Sequence, residues 1–150
     1  MKTLVAYFSA QGTTAALARE LAAKTGADLF EIVPREPYSA ADITWTNPMA
    51  RCNREKIGKK DVPVAGTVAD WESYDRVYLG FPIWYYGAPN VVNTFCKGYD
   101  WQGKRVALFA TSGGSGIGRT VEKLQPYVAG GEIVKAEVIR DGKSLSDILL

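Results

Sequence analysis

Between Lys2 and Thr14 an apolar run, Leu4-Val5-Ala6-Tyr7-Phe8, breaks abruptly into Ser9-Ala10-Gln11-Gly12-Thr13-Thr14, and an alanine- and leucine-rich pattern follows at once. This reads as a buried parallel strand, a loop of small residues and hydroxyls, and a helix whose first free N–H groups point back at the loop. Ser9, Gln11, Thr13 and Thr14 can all donate hydrogen bonds, yet no Lys or Arg stands among them. Such a loop holds a phosphate by dipoles rather than by ion pairing, which suits the monoester of a tightly held cofactor. Taken alone, the same residues also describe an ordinary strand-to-helix turn with Thr13 or Thr14 as N-cap.

The rest of the chain repeats this alternation, the pattern of βαβ units closing a parallel sheet. Leu17, Leu21 and the alanines between them give the first helix one apolar face, with Arg19, Glu20 and Lys24 outside and Gly26 placed as its stop. Leu29–Val33 reads as a second strand, Arg76–Phe81 as a third, Pro89–Tyr99 as a helix and Val106–Ala110 as a fourth strand. Ile117, Val121 and Leu124 share a helical face that Pro126 ends or kinks, and Glu132–Ile139 is a fifth strand. In that last strand Val134, Ala136 and Val138 alternate with Lys135 and Glu137, so it belongs at a sheet edge with one poorly covered face. Ser144–Leu150 leaves about two turns of helix, whose Leu145, Ile148, Leu149 and Leu150 either make a homodimer contact or pack back on the same subunit. Pro34–Tyr74, mixed in composition, carries no readable pattern.

With 150 residues, 47% of them hydrophobic, one domain spanning residues 1–150 is expected. The start of the chain shows no charged-then-apolar leader, and no stretch is apolar enough for a bilayer, so a cytoplasmic location away from membranes is expected. The sequence contains no histidine, which removes Ser-His-Asp and Cys-His catalysis and histidine-ligated metals. Cys52 and Cys96 stand far apart in no metal-like spacing and are expected as reduced thiols, so neither a metal site nor a catalytic residue of the chain's own is assigned. With Val92 and Phe95 on the same helical stripe, Cys96 is expected in the core.

Three loops would leave the carboxyl ends of strands one, three and four, where an open doubly wound sheet places its ligand crevice. The second, Phe81-Pro82-Ile83-Trp84-Tyr85-Tyr86-Gly87-Ala88, is aromatic where a loop is ordinarily polar. Trp84, Tyr85 and Tyr86 can stack on a flat heterocycle, each burial contributing about 1.5–3 kcal/mol by area. The third, Thr111-Ser112-Gly113-Gly114-Ser115-Gly116, is nearly all backbone, so a ligand edge can approach its N–H groups closely. Phosphate, ring face and ring edge are all provided for.

In this order the loops resemble those of the flavodoxin-like FMN proteins, over nearly the whole chain from Lys2 to about Ile139. The first loop of that family commonly reads Thr/Ser-x-Thr-Gly-x-Thr; here Ser9, Gly12 and Thr14 match, and Gln11 replaces a hydroxyl residue. Gly80-Phe81-Pro82-Ile83-Trp84, Thr111 to Gly118, Asp42-Ile43-Thr44-Trp45 and Arg51 to Glu55 are similar to the short bacterial members in particular. The resemblance implies a three-layer, doubly wound α/β fold, a five-stranded parallel sheet in the order 2-1-3-4-5 with helices on both faces, the flavodoxin arrangement with its ligand at the switch point. It implies FMN as cofactor. The binding residues are then Ser9, Gln11, Gly12, Thr13 and Thr14 in the first loop, Pro82, Ile83, Trp84, Tyr85, Tyr86 and Gly87 in the second, and Thr111, Ser112, Gly113, Gly114 and Ser115 in the third. The Gly87–Ala88 peptide is expected to set a backbone group near the ring and so tune its one-electron reduction.

In charge the chain departs from this family: soluble electron carriers of the type are acidic, whereas this chain has a formal net charge of +2. Three functional readings follow. The first is electron transfer with a redox partner protein; the second is an NAD(P)H-dependent FMN reductase of quinones or similar small acceptors. The third, resting on Gln11 and the charge, is a flavin-free ligand-binding or regulatory module. Gly98-Tyr99-Asp100-Trp101-Gln102-Gly103-Lys104 imitates a nucleotide loop, but Arg105 stands where Ser or Thr is required and the segment precedes a strand, so it reads as a helix-stop turn. Gly114, Gly116 and Gly118 lack the third glycine of a dinucleotide fingerprint, since Arg119 takes its place. Arg51, Arg54, Lys56, Lys59 and Lys60 read as a solvated surface or a dock for an acidic group. Nucleic acid is not expected as a partner, there being neither a basic stripe nor an RNA signature.

Overall fold

The structure, a computed structural model, describes residues 2–9, 12–35, 62–83, 88–111, 120–139, 145 and 148–150. Along the chain these form β1 (Lys2–Tyr7), α1 (Thr13–Thr25), β2 (Asp28–Glu31), β3 (Val33–Pro34), β4 (Val64–Ala65), β5 (Tyr74–Pro82), α2 (Asn90–Lys97), β6 (Arg105–Thr111), α3 (Thr120–Leu124) and β7 (Glu132–Val138). Five strands make one parallel sheet in the order β2-β1-β5-β6-β7, which is 2-1-3-4-5 counted within the sheet. β3 and β4 pair antiparallel as a separate ribbon.

β1 is a continuous apolar run because both of its faces are covered. Leu4 and Ala6 enter a core that α2 closes with Val91, Val92, Phe95 and Cys96, and to which Leu124 of α3 belongs. Val5 and Tyr7 enter the opposite core with Ala18, Leu21 and Ala22 of α1 and with Leu145 and Ile148. The sheet therefore lies between two helical layers, as a doubly wound fold requires. Within the second core Gly80 of β5 stands in register with Phe109 of β6. A Cβ on Gly80 would lie 2.1 Å from the ring's Cζ, so the ring occupies the space that a side chain would take.

Several boundaries differ from the sequence reading. Neither Thr13 nor Thr14 caps α1; Gly12 does, with φ 94°, in the left-handed region that favours glycine, and no side chain caps the helix. The expected strand Leu29–Val33 divides in two. Ile32 donates the last bond to β1, at the Tyr7 carbonyl (2.6 Å), after which Val33 and Pro34 turn to pair with β4. Gly26 ends α1 as expected, with φ 70°. Pro126 converts the end of α3 into the 3-10 turn Gln125–Val128.

β7 is an edge strand, with Lys135 and Glu137 exposed and Val134, Ala136 and Val138 half-buried. Leu145 and Ile148 pack back into the second core, whereas Leu149 stays exposed. Lys135 Nζ donates to the Leu149 carbonyl (2.6 Å), and the Leu150 N–H donates to Tyr78 Oη (2.7 Å), so the tail is fastened across the sheet edge. Cys52 and the basic group Arg51, Arg54, Lys56, Lys59 and Lys60 lie outside the described residues, as do Asp42 to Trp45, Ile117 and Arg119. No helix among the described residues is long and apolar enough to cross a membrane.

Candidate functional site

β1, β5 and β6 are neighbours whose carboxyl ends stand level, with Tyr7 opposite Gly80 and Pro82 opposite Thr111. Each ends at one of the three loops singled out in the sequence. Of the expected site residues, Ser9, Gly12, Thr13, Thr14, Pro82, Ile83 and Thr111 fall among the described residues. Gln11, Trp84, Tyr85, Tyr86, Gly87, Ser112, Gly113, Gly114 and Ser115 lie outside them.

Locally the first loop turns on Gly12. Its left-handed backbone swings the chain into α1, and its N–H donates to Ser9 Oγ at 3.0 Å, closing the turn upon itself. Ala16 N–H bonds back to the Gly12 carbonyl (3.1 Å), which begins the helical ladder. The N–H groups of Thr13, Thr14 and Ala15 precede that ladder and have no acceptor within the helix. They carry the positive end of the α1 dipole. Gly12 and Thr13 are exposed, so this end of the helix opens to solvent.

Thr14 is different. It is only 2% exposed, and its Oγ1 lies 2.8 Å from Thr111 Oγ1, itself at the end of β6. The Thr111 carbonyl accepts the N–H of Ile83 (2.9 Å), where β5 runs into the aromatic loop. One residue thus joins the first loop through its side chain, the second through its carbonyl, and begins the third. Sequence reasoning placed Thr14 and Thr111 separately and missed their pairing. The available signal was Thr111 itself, the first hydroxyl after the apolar run Val106–Ala110.

The three loop segments themselves carry no charge. Ser9–Thr14, Pro82–Ala88 and Thr111–Gly116 contain no Asp, Glu, Lys or Arg. Tyr7, at the end of β1, has its phenol pushed up chiefly by burial and further by the Glu31 carboxylate, against the pull of Arg19. At the opposite end, Lys104 fills the helix-stop turn after α2. Its Nζ donates to the carbonyls of Trp71 (3.0 Å) and Tyr74 and sits 4.8 Å from the Trp71 ring centre. Burial pushes its pKa down, while Asp100, Glu72 and Asp75 push it back up. This lysine stands at the amino ends of the strands, so the segment that imitates a nucleotide loop faces away from the candidate site. No group of three Cys, Asp or Glu side chains able to hold a metal ion occurs among the described residues.

Residues 2–148 match the family model described as flavodoxin. The chain belongs to the flavodoxin family. Two solved structures share its fold at substantial identity. A candidate flavoprotein from Bacteroides eggerthii is 38% identical, with a TM-score of 0.86 over 97% of this chain and 94% of that one. One from Bacteroides uniformis is 35% identical, with a TM-score of 0.86 over 97% of this chain and 96% of that one. A flavoprotein from Lactobacillus acidophilus, solved in complex with FMN, is 22% identical, with a TM-score of 0.75 over 98% of this chain and 97% of that one. At that identity the likeness is one of fold. No curated protein matches the chain.

Proposed function

We propose that this flavodoxin-family chain binds FMN at the carboxyl ends of β1, β5 and β6 and serves in electron transfer. The observation that carries the reading is the open N-terminus of α1, made by left-handed Gly12 and the Ser9 hydroxyl and held to β6 by the Thr14–Thr111 pair. Free helix N–H groups with no charged side chain in the loop suit a phosphate monoester bound by dipoles. The FMN complex of the Lactobacillus acidophilus flavoprotein, which shares this fold, adds support.

When bound, the flavin ring supplies the electron carriage. The chain's residues do the rest. Ser9, Gln11, Gly12, Thr13 and Thr14 receive the phosphate; Pro82, Ile83, Trp84, Tyr85, Tyr86 and Gly87 cover the ring; Thr111, Ser112, Gly113, Gly114 and Ser115 present backbone groups to its edge. A redox partner protein and a cytoplasmic location complete the reading.

The net charge of +2 favours a second reading, an NAD(P)H-dependent reductase of quinones or similar acceptors, because docking on a basic reductase selects for an acidic carrier. The test begins with protein purified without added cofactor, reconstituted with FMN and examined by visible absorption, the released flavin being identified. A stoichiometric FMN spectrum is expected, and a colourless protein that refuses FMN would refute the cofactor. Steady-state NAD(P)H oxidation with added quinone then separates carrier from reductase.

A further inference from the structure

The Thr14 and Thr111 hydroxyls share one hydrogen bond. The two oxygens lie 2.8 Å apart in a buried position, and the residues are 97 apart in the chain. In the first loop Ser9, Gly12 and Thr13 stand nearer the solvent than Thr14 does. What the bond fixes is distance: it sets the first turn of α1 against the end of β6. Through its carbonyl, the same Thr111 fixes the start of the aromatic loop at Ile83.

We propose that Thr111 is a positioning residue that holds the phosphate end and the ring end of the site at one separation, and so gives the site its preference for a phosphorylated flavin. This rests on the flavin reading above. A ligand with both ends must reach from the N-terminus of α1 to the loops that leave the carboxyl ends of β5 and β6. If α1 is free to shift, the ordering it requires is charged against binding, and only a ligand that uses both ends feels that cost. Riboflavin, which has the ring but no phosphate, does not engage the helix and loses nothing by its movement.

The experiment compares FMN and riboflavin by flavin fluorescence titration for the native chain, Thr111→Val and Thr111→Ser. Valine keeps the shape and removes the hydroxyl; serine keeps the hydroxyl and removes the methyl group. Expected for Thr111→Val is FMN binding weakened on the order of tenfold with riboflavin binding held within about twofold, and for Thr111→Ser the native ratio of the two. Unfolding by urea is followed alongside. If Thr111→Val does not fold, Thr111→Ala with the serine variant carries the same comparison.

Equal weakening of both flavins in the valine or alanine variant, or no weakening of either, would overturn the positioning role. So would loss of FMN preference in the serine variant. A native chain that takes neither flavin would instead overturn the cofactor reading, and this inference with it.

Discussion

Replacing Gly80 with alanine puts a methyl group where the Phe109 ring already is. The new Cβ would lie 2.1, 2.3 and 2.7 Å from the ring's Cζ, Cε2 and Cε1. To reach ordinary carbon contact near 3.5 Å, the ring must withdraw by about 1.4 Å. Phe109 is fully buried between sheet and helical layer, so no empty space receives it. Overpacking of this kind costs about 3 kcal/mol, offset by about 0.5–1 kcal/mol because alanine loses less backbone entropy than glycine in a strand. The net expectation is about 2 kcal/mol, or a Tm lower by about 4–8 °C for a chain of this size. Phe109→Leu removes all three offending atoms at a cost of about 1.5 kcal/mol. The double variant Gly80→Ala with Phe109→Leu should then be no less stable than Phe109→Leu alone, a coupling of about 2 kcal/mol. Urea unfolding followed by far-ultraviolet circular dichroism reads all four proteins. If Gly80→Ala loses less than about 0.5 kcal/mol, or the two changes add, the ring does not fill the glycine's space and the reasoning is refuted.

Tyr74 donates to Asp28 Oδ2 (2.7 Å), and burial, then that bond and the nearby carboxylates, push its pKa up to about 12. A phenol that keeps its proton longer when folded contributes stability in full below its unfolded pKa of 10.0 and loses it as pH rises toward 12. Tyr74→Phe should therefore cost about 1 kcal/mol at neutral pH and flatten the loss of stability above pH 10, as checked by urea midpoints from pH 8 upward. Cys96 is fully buried, and desolvation pushes its thiol well above the ordinary range. In a Cys52→Ser background a thiol-reactive dye should leave the native protein unlabelled and label one thiol per chain once urea is added; fast labelling of native protein would contradict the burial.

How legible each element was depended on how local its cause is. β1 could be read directly because burial on both faces demands an unbroken apolar run, and β7 because one thinly covered face produces alternation. Gly26 and Pro126 act through their own backbones, so their effects on α1 and α3 were visible without a partner. The division of Leu29–Val33 was not visible, because it is set by where β1 stops and not by the run itself. Thr13 and Thr14 have the residue type of an N-cap, but Gly12 takes the position through its left-handed backbone and Thr14 turns inward. Gly98 to Lys104 reads as a helix-stop turn, yet its Lys104 bonds two carbonyls over an indole face. For the strand division, the inward turn of Thr14 and the burial of Lys104 the deciding group is distant in sequence, and pattern reading has no access to it. For the candidate site, the three loops were legible by composition, while the bonds joining them were not.

A cleft closed by a bond between residues 97 apart is also one that arrives late in biosynthesis. β1 and α1 are made before β6, so Thr14 has no Thr111 to bond until 97 further residues have followed. At roughly 5–20 residues per second, that interval is about 5 to 20 s. The first and third loops are therefore held at one separation only in the finished domain, never in the growing chain.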